Sequence, residues 1–142
     1  MEFQVKNSRV SSLLLSRALA WLLNIDVSNV VWLASDRTNW IDSESKAQIS
    51  FLLERKDKEG LRSLFIKLPK EYVGDIETDG SVLHSVVIAG QLKYTMPQKS
   101  EIKVLDAGSY FGATDKAIHA VSCGEDADVI VYVRTNGEIS VK

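Results

Sequence analysis

The stretch DIETDGSVLHSVVIAGQLKY, residues 75–94, indicates the fold class because it is dense in the residue types that form β-strands. Its Asp79-Gly80 pair predicts a tight hairpin turn, since this pair suits the backbone angles of a two-residue primed turn. Gly90 lies inside the strand-like run 81–94 and predicts a bend or a bulge there.

The rest of the chain repeats this pattern of short apolar runs separated by turn residues. Asn136-Gly137 predicts a second hairpin, and strands do not alternate with helices as a parallel sheet would require. About eight short strands predict an all-β sandwich or barrel, and closure as an antiparallel barrel or jelly roll limits exposed strand edges. The predicted strands lie at 29–34, 47–55, 61–69, 81–94, 101–108, 117–123 and 128–135, and the closing hairpin lies at 136–142.

The N-terminal segment differs from the remainder in having apolar side chains at helical spacing. RVSSLLLSRALAWLLNI, residues 9–25, predicts an amphipathic helix that either packs on the flank of its own domain or pairs with another subunit. Arg17 interrupts the apolar run, which argues against a secretory leader and against a membrane span, with a cleaved leader as the remaining alternative. The predicted organisation is an N-terminal helical extension at residues 1–28 and a single barrel domain at residues 29–142.

Length and charge narrow the class of protein and its partners. The chain has 142 residues and a net charge of −2, which suits one domain and argues against nucleic acid as a partner. Cys123 is the single cysteine, so an internal disulfide is excluded and a reducing compartment is favoured. We therefore expect a cytoplasmic protein that does not associate with membranes.

Two segments resemble the paired motifs of the cupin superfamily. Residues 75–94 lie where the first motif would be, with Gly90 on its final glycine. AGSYFGATDKAIHAVSC, residues 107–123, lies where the second would be, with His119 on its histidine. The chain resembles most closely the uncharacterised single-domain cupins of the DUF4437 group, over roughly residues 45–140. This resemblance implies an all-β double-stranded β-helix, the cupin jelly-roll barrel, here with an N-terminal helical extension, and it implies a homodimer.

The metal-binding positions of the cupin motifs are mostly replaced. The two histidines of the first motif fall on Glu77 and Asp79, and its acidic residue falls on Leu83, so only His119 matches by type. The resemblance implies Glu77, Asp79 and His119 as ligands of a divalent ion such as Fe, Mn, Ni or Zn, with open positions for water or substrate. The alternative is that both carboxylates belong to a solvated hairpin and that His119 is a hydrogen-bonded histidine inside the barrel.

Four further residues are candidates for a pocket. Lys67 either projects inward to bind an anion or lies at a rim. His84 is expected to point outward or into a subunit interface, with a proton-transfer or ligand role left open. Tyr110 either lines an apolar pocket or belongs to the core. Cys123 shares a strand face with His119 and is expected to be a packing residue.

Two classes of function remain after the motifs have been weighed. The sequence has no glycine-rich phosphate loop, zinc-spaced cysteine set or Ser-His-Asp constellation. One class is a barrel that binds or senses a small-molecule ligand without catalysis. The other is a metal-dependent enzyme, such as a dioxygenase or an isomerase, in which Glu77, Asp79 and His119 hold the ion. The incomplete ligand pattern favours the first class, and the orientation of the two carboxylates relative to His119 discriminates between the two.

Overall fold

The computed structural model describes residues 33–53 and 55–142. The predicted helical extension over residues 1–28 and the boundary after it lie outside the described residues. The strand predicted at 29–34 lies largely outside them too, and its described residues, Leu33 and Ala34, are not in a strand. Ala34–Lys142 forms one compact unit.

The described residues form an all-β fold of two antiparallel sheets, as predicted for a cupin jelly roll. The six-stranded sheet has the order β1-β2-β3-β10-β5-β8, and the five-stranded sheet has the order β11-β4-β9-β6-β7. The only helical element in this part of the chain is a 3-10 turn at Ser35–Arg37. The strands are β1 Ile41–Asp42, β2 Gln48–Phe51, β3 Arg62–Leu68, β4 Val73–Thr78, β5 Leu83–Ala89, β6 Leu92–Thr95, β7 Ile102–Leu105, β8 Tyr110–Ala113, β9 Ile118–Cys123, β10 Val129–Thr135 and β11 Ile139–Val141.

Alternate residues of the central strands build the core between the two sheets. Leu64, Ile66 and Leu68 of β3 point inward. Val131 of the neighbouring strand β10 is the strand partner of Ile66 and is buried as well. These side chains are almost fully buried, and each contributes about 1.5–3 kcal/mol by leaving water. The same alternation sends every second residue of these strands to the outer face.

Neither predicted hairpin is present, and this corrects the sequence analysis. Asp79-Gly80 joins β4 of the five-stranded sheet to β5 of the six-stranded sheet, and Asn136-Gly137 joins β10 to β11 in the opposite direction. Both pairs therefore carry the chain across the barrel, and we call them the crossing turns. Neither glycine has the positive φ that a primed hairpin turn would give it.

The two crossing turns lie against each other, and this contact explains their glycines. A Cβ atom on Gly80 would lie 2.6 Å from the backbone nitrogen of Gly137, which is closer than real atoms allow. Next to the glycines, the hydroxyl oxygens of Thr78 and Thr135 lie 2.9 Å apart in a hydrogen bond. The glycines are therefore selected for close approach of two backbones rather than for hairpin geometry.

Gly90 ends β5 as the sequence indicated. Its φ is +80°, and β5 pairs with β10 through a register shift at Ile130 and Val131. The chain then enters β6 in the other sheet. The predicted bend is confirmed.

Candidate functional site

His119 lies on the inward face of β9 and is the only histidine, lysine or arginine classed as buried among the described residues. Its side chain is 2% exposed. Its Nδ1 atom lies 2.9 Å from the hydroxyl oxygen of Tyr94 on β6. The centre of the Phe111 ring on β8 lies 5.3 Å from the centre of the His119 ring. Strands of both sheets therefore position this imidazole, with aromatic rings on two sides.

The other ring nitrogen of His119 has no partner among residues 33–53 and 55–142. Its Nε2 atom is buried and makes no hydrogen bond, and the same holds for the hydroxyl of Ser85 on β5. Ser85 is fully buried and is the strand partner of Phe111, which also packs against His119. Buried polar groups without partners cost about 1–3 kcal/mol each, so these two atoms have hydrogen-bonding capacity that the described residues do not use.

Burial fixes the charge state of this cluster. Loss of water lowers the pKa of His119, which keeps the imidazole neutral, and it raises the pKa of Tyr94, which keeps the phenol protonated. A neutral imidazole carries one N–H, and its position follows from the Tyr94 hydrogen bond. When Tyr94 donates to Nδ1, Nε2 carries the proton and donates inward. When Nδ1 donates to Tyr94, Nε2 accepts.

The structure does not bring Glu77 and Asp79 to His119. The strand partner of His119 on β4 is Ile76, whereas Glu77 is paired with the exposed Ile118 and so lies on the outer face. The Glu77 carboxylate forms an ion pair with Lys142. The Asp79 carboxylate accepts a hydrogen bond from the backbone N–H of Glu138 at 2.7 Å, within the crossing turns.

The implied metal ion does not fit the residues that are present. A divalent ion of this class needs several nitrogen or oxygen ligands, and His119 offers one nitrogen. Within the described part of the chain, no group of three His, Cys, Asp or Glu side chains is placed to hold a metal ion. The expected ligand set of Glu77, Asp79 and His119 is therefore not assembled, and no step is derived through a metal.

Three of the pocket candidates lie on the outer face of the six-stranded sheet rather than in a pocket. Lys67 alternates with the inward residues of β3, and its Nζ lies 5.5 Å from the centre of the Trp40 ring. His84 points outward, as its alternation with the inward residues of β5 predicted, and its Nδ1 lies 2.7 Å from the Tyr110 hydroxyl. Tyr110 is 56% exposed, so it is neither a core residue nor part of the interior.

Cys123 shares the inward face of β9 with His119, as predicted. It is buried, and burial together with the charge of Asp128 raises the pKa of its thiol to about 11. The thiol is therefore protonated at neutral pH and lacks the environment of a reactive cysteine. Its contacts lie in the hydrophobic core, which agrees with a packing role.

Two residues of the interior cluster were not among the sequence-based candidates. Ser85 lies between Leu83 and Val87 on the inward face of β5. The alternation of side chains along the strand could have identified it, because it places a serine where an apolar residue is expected. Tyr94 was recognisable as a strand aromatic, but its bond to His119 depends on the pairing of β6 with β9.

Comparison with known proteins agrees with this fold. The model of the DUF4437 family, a domain of unknown function, matches residues 22–142. Similar solved structures include an RmlC-like cupin from Ralstonia eutropha, at 18% identity over 80% of this chain and 72% of that one, with a TM-score of 0.60. KdgF from Halomonas sp. is 17% identical over 75% of this chain and 95% of that one, also with a TM-score of 0.60.

The structural neighbours also include a protein named as an enzyme. A putative acetylacetone dioxygenase from Methylibium petroleiphilum is 12% identical over 80% of this chain and 81% of that one, with a TM-score of 0.59. At such identities the likeness shows the fold alone. No curated protein matches the sequence. Among the described residues, no helix has the length and apolar character needed to cross a membrane.

The family match covers most of the chain, and the two-sheet jelly roll is shared with solved cupins. The chain therefore belongs to the DUF4437 family and has the cupin fold.

Proposed function

We propose that the barrel binds a small uncharged molecule between its two sheets, held by Nε2 of His119 and the hydroxyl of Ser85. The observation that carries this proposal is the buried Nε2 atom without a partner in the described part of the chain. Ser85 is the strand partner of Phe111, and the Phe111 ring lies beside the His119 ring, so both polar groups adjoin the same aromatic residue.

The charges of the interior support an uncharged ligand. The buried polar residues of the described chain are Ser50, Thr78, Ser85, His119 and Thr135, and none of them carries a formal charge while His119 is neutral. An ionised ligand would lose its hydration without gaining an opposite charge, which is costly in an apolar interior. A carbonyl, hydroxyl or amide group bonds to a neutral imidazole and a hydroxyl without that penalty.

The aromatic side chains support a ligand with an apolar body. Rings of Tyr94 and Phe111 lie 5.8 and 5.3 Å from the His119 ring, and they provide flat apolar surface beside the polar atoms. Polar atoms placed among aromatic residues are typical of small-molecule sites. Binding alone accounts for these features, without a catalytic step.

The test follows the imidazole nitrogens of both histidines by NMR during titration with cyclohexanone, benzyl alcohol and benzamide. We expect at least one of these probes to shift the His119 Nε2 resonance saturably and to leave the His84 resonances in place. His119→Phe keeps a ring at the site and should abolish binding. His84→Phe is the matched control, because His84 also bonds a tyrosine but lies on the outer face. The proposal fails if no probe moves the His119 resonance, or if His119→Phe binds as tightly as the parent protein.

A further inference from the structure

A second feature of the described residues lies beside β1, the first strand in the order of the six-stranded sheet. A pocket of about 500 Å³ is formed there by Asn39, Ile41, Phe51, Leu52 and Arg62. This volume falls within the range of small-molecule sites. The pocket is bordered by β1, β2 and β3, whereas the interior cluster belongs to β5, β6, β8 and β9.

The wall of the pocket includes exposed apolar side chains beside the polar Asn39 and Arg62. Ile41 is 51% exposed and Phe51 is 42% exposed. Their strand partners are Ile49 and Leu64, which lie on the face of the sheet that packs on the core. Exposed aliphatic and aromatic side chains at the rim of a pocket favour a partner that covers them. This edge therefore provides apolar surface for the body of a ligand.

Arg62 brings a positive charge to this apolar wall. It begins β3 on the same face as Leu64, and its guanidinium lies 5.7 Å from the centre of the Phe51 ring. Its Nη1 atom lies 3.0 Å from a carboxylate oxygen of Glu138, whose side chain is largely exposed. Such an exposed ion pair contributes little, so Glu138 is a weak competitor for this guanidinium.

The guanidinium also has donor capacity that the described protein does not use. The Nε atom of Arg62 is buried and makes no hydrogen bond to residues 33–53 or 55–142. The Nε–H and the adjacent Nη–H of an arginine form a fork that matches the two oxygens of a carboxylate. A buried N–H without an acceptor is costly, and a carboxylate in the pocket would remove that cost.

We propose that this edge pocket binds a small monocarboxylic acid with an aliphatic or aromatic body. The carboxylate bonds the Arg62 fork, and the body of the acid packs on Ile41, Phe51 and Leu52. The site is separate from the proposed interior site in position and in ligand class, because the interior favours an uncharged molecule and the edge favours an anion. Either proposal can fail without the other.

The experiment compares hexanoate with 1-hexanol, which has the same apolar chain and no charge. Each is titrated into the 142-residue chain, and the backbone amide resonances of Asn39, Ile41 and Leu52 are followed by NMR. We expect hexanoate to shift them saturably and hexanol to bind at least about tenfold more weakly, because it cannot form the charge-assisted pair. Equal affinity for the two probes, or no saturable shift with hexanoate, would overturn the proposal.

Substitutions at Arg62 test whether its guanidinium binds the carboxylate of hexanoate. Arg62→Gln should weaken hexanoate binding about tenfold or more, and Arg62→Lys, which keeps the charge but loses the fork, should fall between Gln and the parent. Arg134→Gln is the matched control, since Arg134 is bound to Asp57 and Glu59 and does not line the pocket. His119→Phe should leave hexanoate binding unchanged, which separates this site from the interior one. Undiminished binding by both Arg62 variants would assign the carboxylate to another residue and overturn the proposal.

Discussion

The Nδ1 atom of His119 and the hydroxyl oxygen of Tyr94 lie 2.9 Å apart inside the barrel, and this bond directs the second imidazole nitrogen into the interior. The chain contains a matched pair on its outer surface, where Nδ1 of His84 lies 2.7 Å from the Tyr110 hydroxyl. The two pairs have the same chemistry but different burial, so each serves as the control for the other.

Removing the Tyr94 hydroxyl should destabilise the protein, because it leaves Nδ1 of His119 buried without a partner. We expect Tyr94→Phe to lower the free energy of unfolding by about 1–3 kcal/mol. Tyr110→Phe breaks an exposed bond and should change it by less than about 0.5 kcal/mol. Urea denaturation of both variants measures the difference, and equal losses would contradict the assigned burial.

Stability should fall in mild acid because of His119. Burial lowers its pKa in the folded protein below the ordinary value of 6.5, so the unfolded chain binds the proton more readily. The stabilisation is complete above that ordinary value and is lost as pH falls through the lower, folded pKa. The slope from one group cannot exceed about 1.4 kcal/mol per pH unit. His119→Gln should remove this component from urea denaturation measured between pH 7 and 4.5, whereas His84→Gln should retain it.

Cys123 should be unreactive in the folded protein. A thiol with a pKa of about 11 has very little thiolate at pH 7.5, and the side chain is buried. We expect iodoacetamide to label it slowly in buffer and rapidly in denaturant, as measured by the mass of the intact protein. Rapid labelling without denaturant would show that the thiol is accessible and activated.

The crossing turns should not tolerate a methyl group at either glycine. Gly80→Ala and Gly137→Ala place a Cβ atom against the backbone of the opposite turn, and we expect each to cost about 1–3 kcal/mol. Gly124→Ala is the control, because a Cβ there meets no atom within 4 Å. Thermal unfolding compares the three, and it would refute the assigned contact if all three changes had the same effect.

Metal content should not depend on His119. In the described part of the chain no carboxylates join His119 in a metal-binding group, and one imidazole nitrogen binds divalent ions weakly, so we expect iron, manganese, nickel and zinc well below one ion per chain after dialysis. Mass spectrometry of untagged parent protein and His119→Gln tests this. Stoichiometric metal in the parent that disappears in the variant would restore His119 as a metal ligand.

The alternation of side chains along a strand was sufficient to predict part of the candidate site. It placed His119 and Cys123 on one inward face of β9, and it placed His84 on the outside of β5. These predictions required only the polarity of neighbouring residues, because a buried face imposes its pattern on a strand. The all-β class followed from the same local signals.

Such local signals do not predict contacts between strands that are far apart in the sequence. The side of the sheet on which Glu77 lies relative to His119 depends on the register of β4 against β9, which pairs Ile76 with His119. The hairpin prediction at Asp79-Gly80 failed for a related reason. The glycine serves a contact with Gly137, far along the chain, and local propensity does not report such contacts.

The crossing turns also bear on the order of folding events. Thr78 and Thr135 are 57 residues apart in sequence, and their hydroxyl contact requires strands of both sheets to be in place. Chain closure over such a separation is slow compared with local turn formation, because the chain loses conformational entropy before the contact can stabilise it. The crossing turns should therefore close after the local turns, and the backbone amides of Gly80 and Gly137 should gain protection from hydrogen exchange later in refolding than amides of local turns.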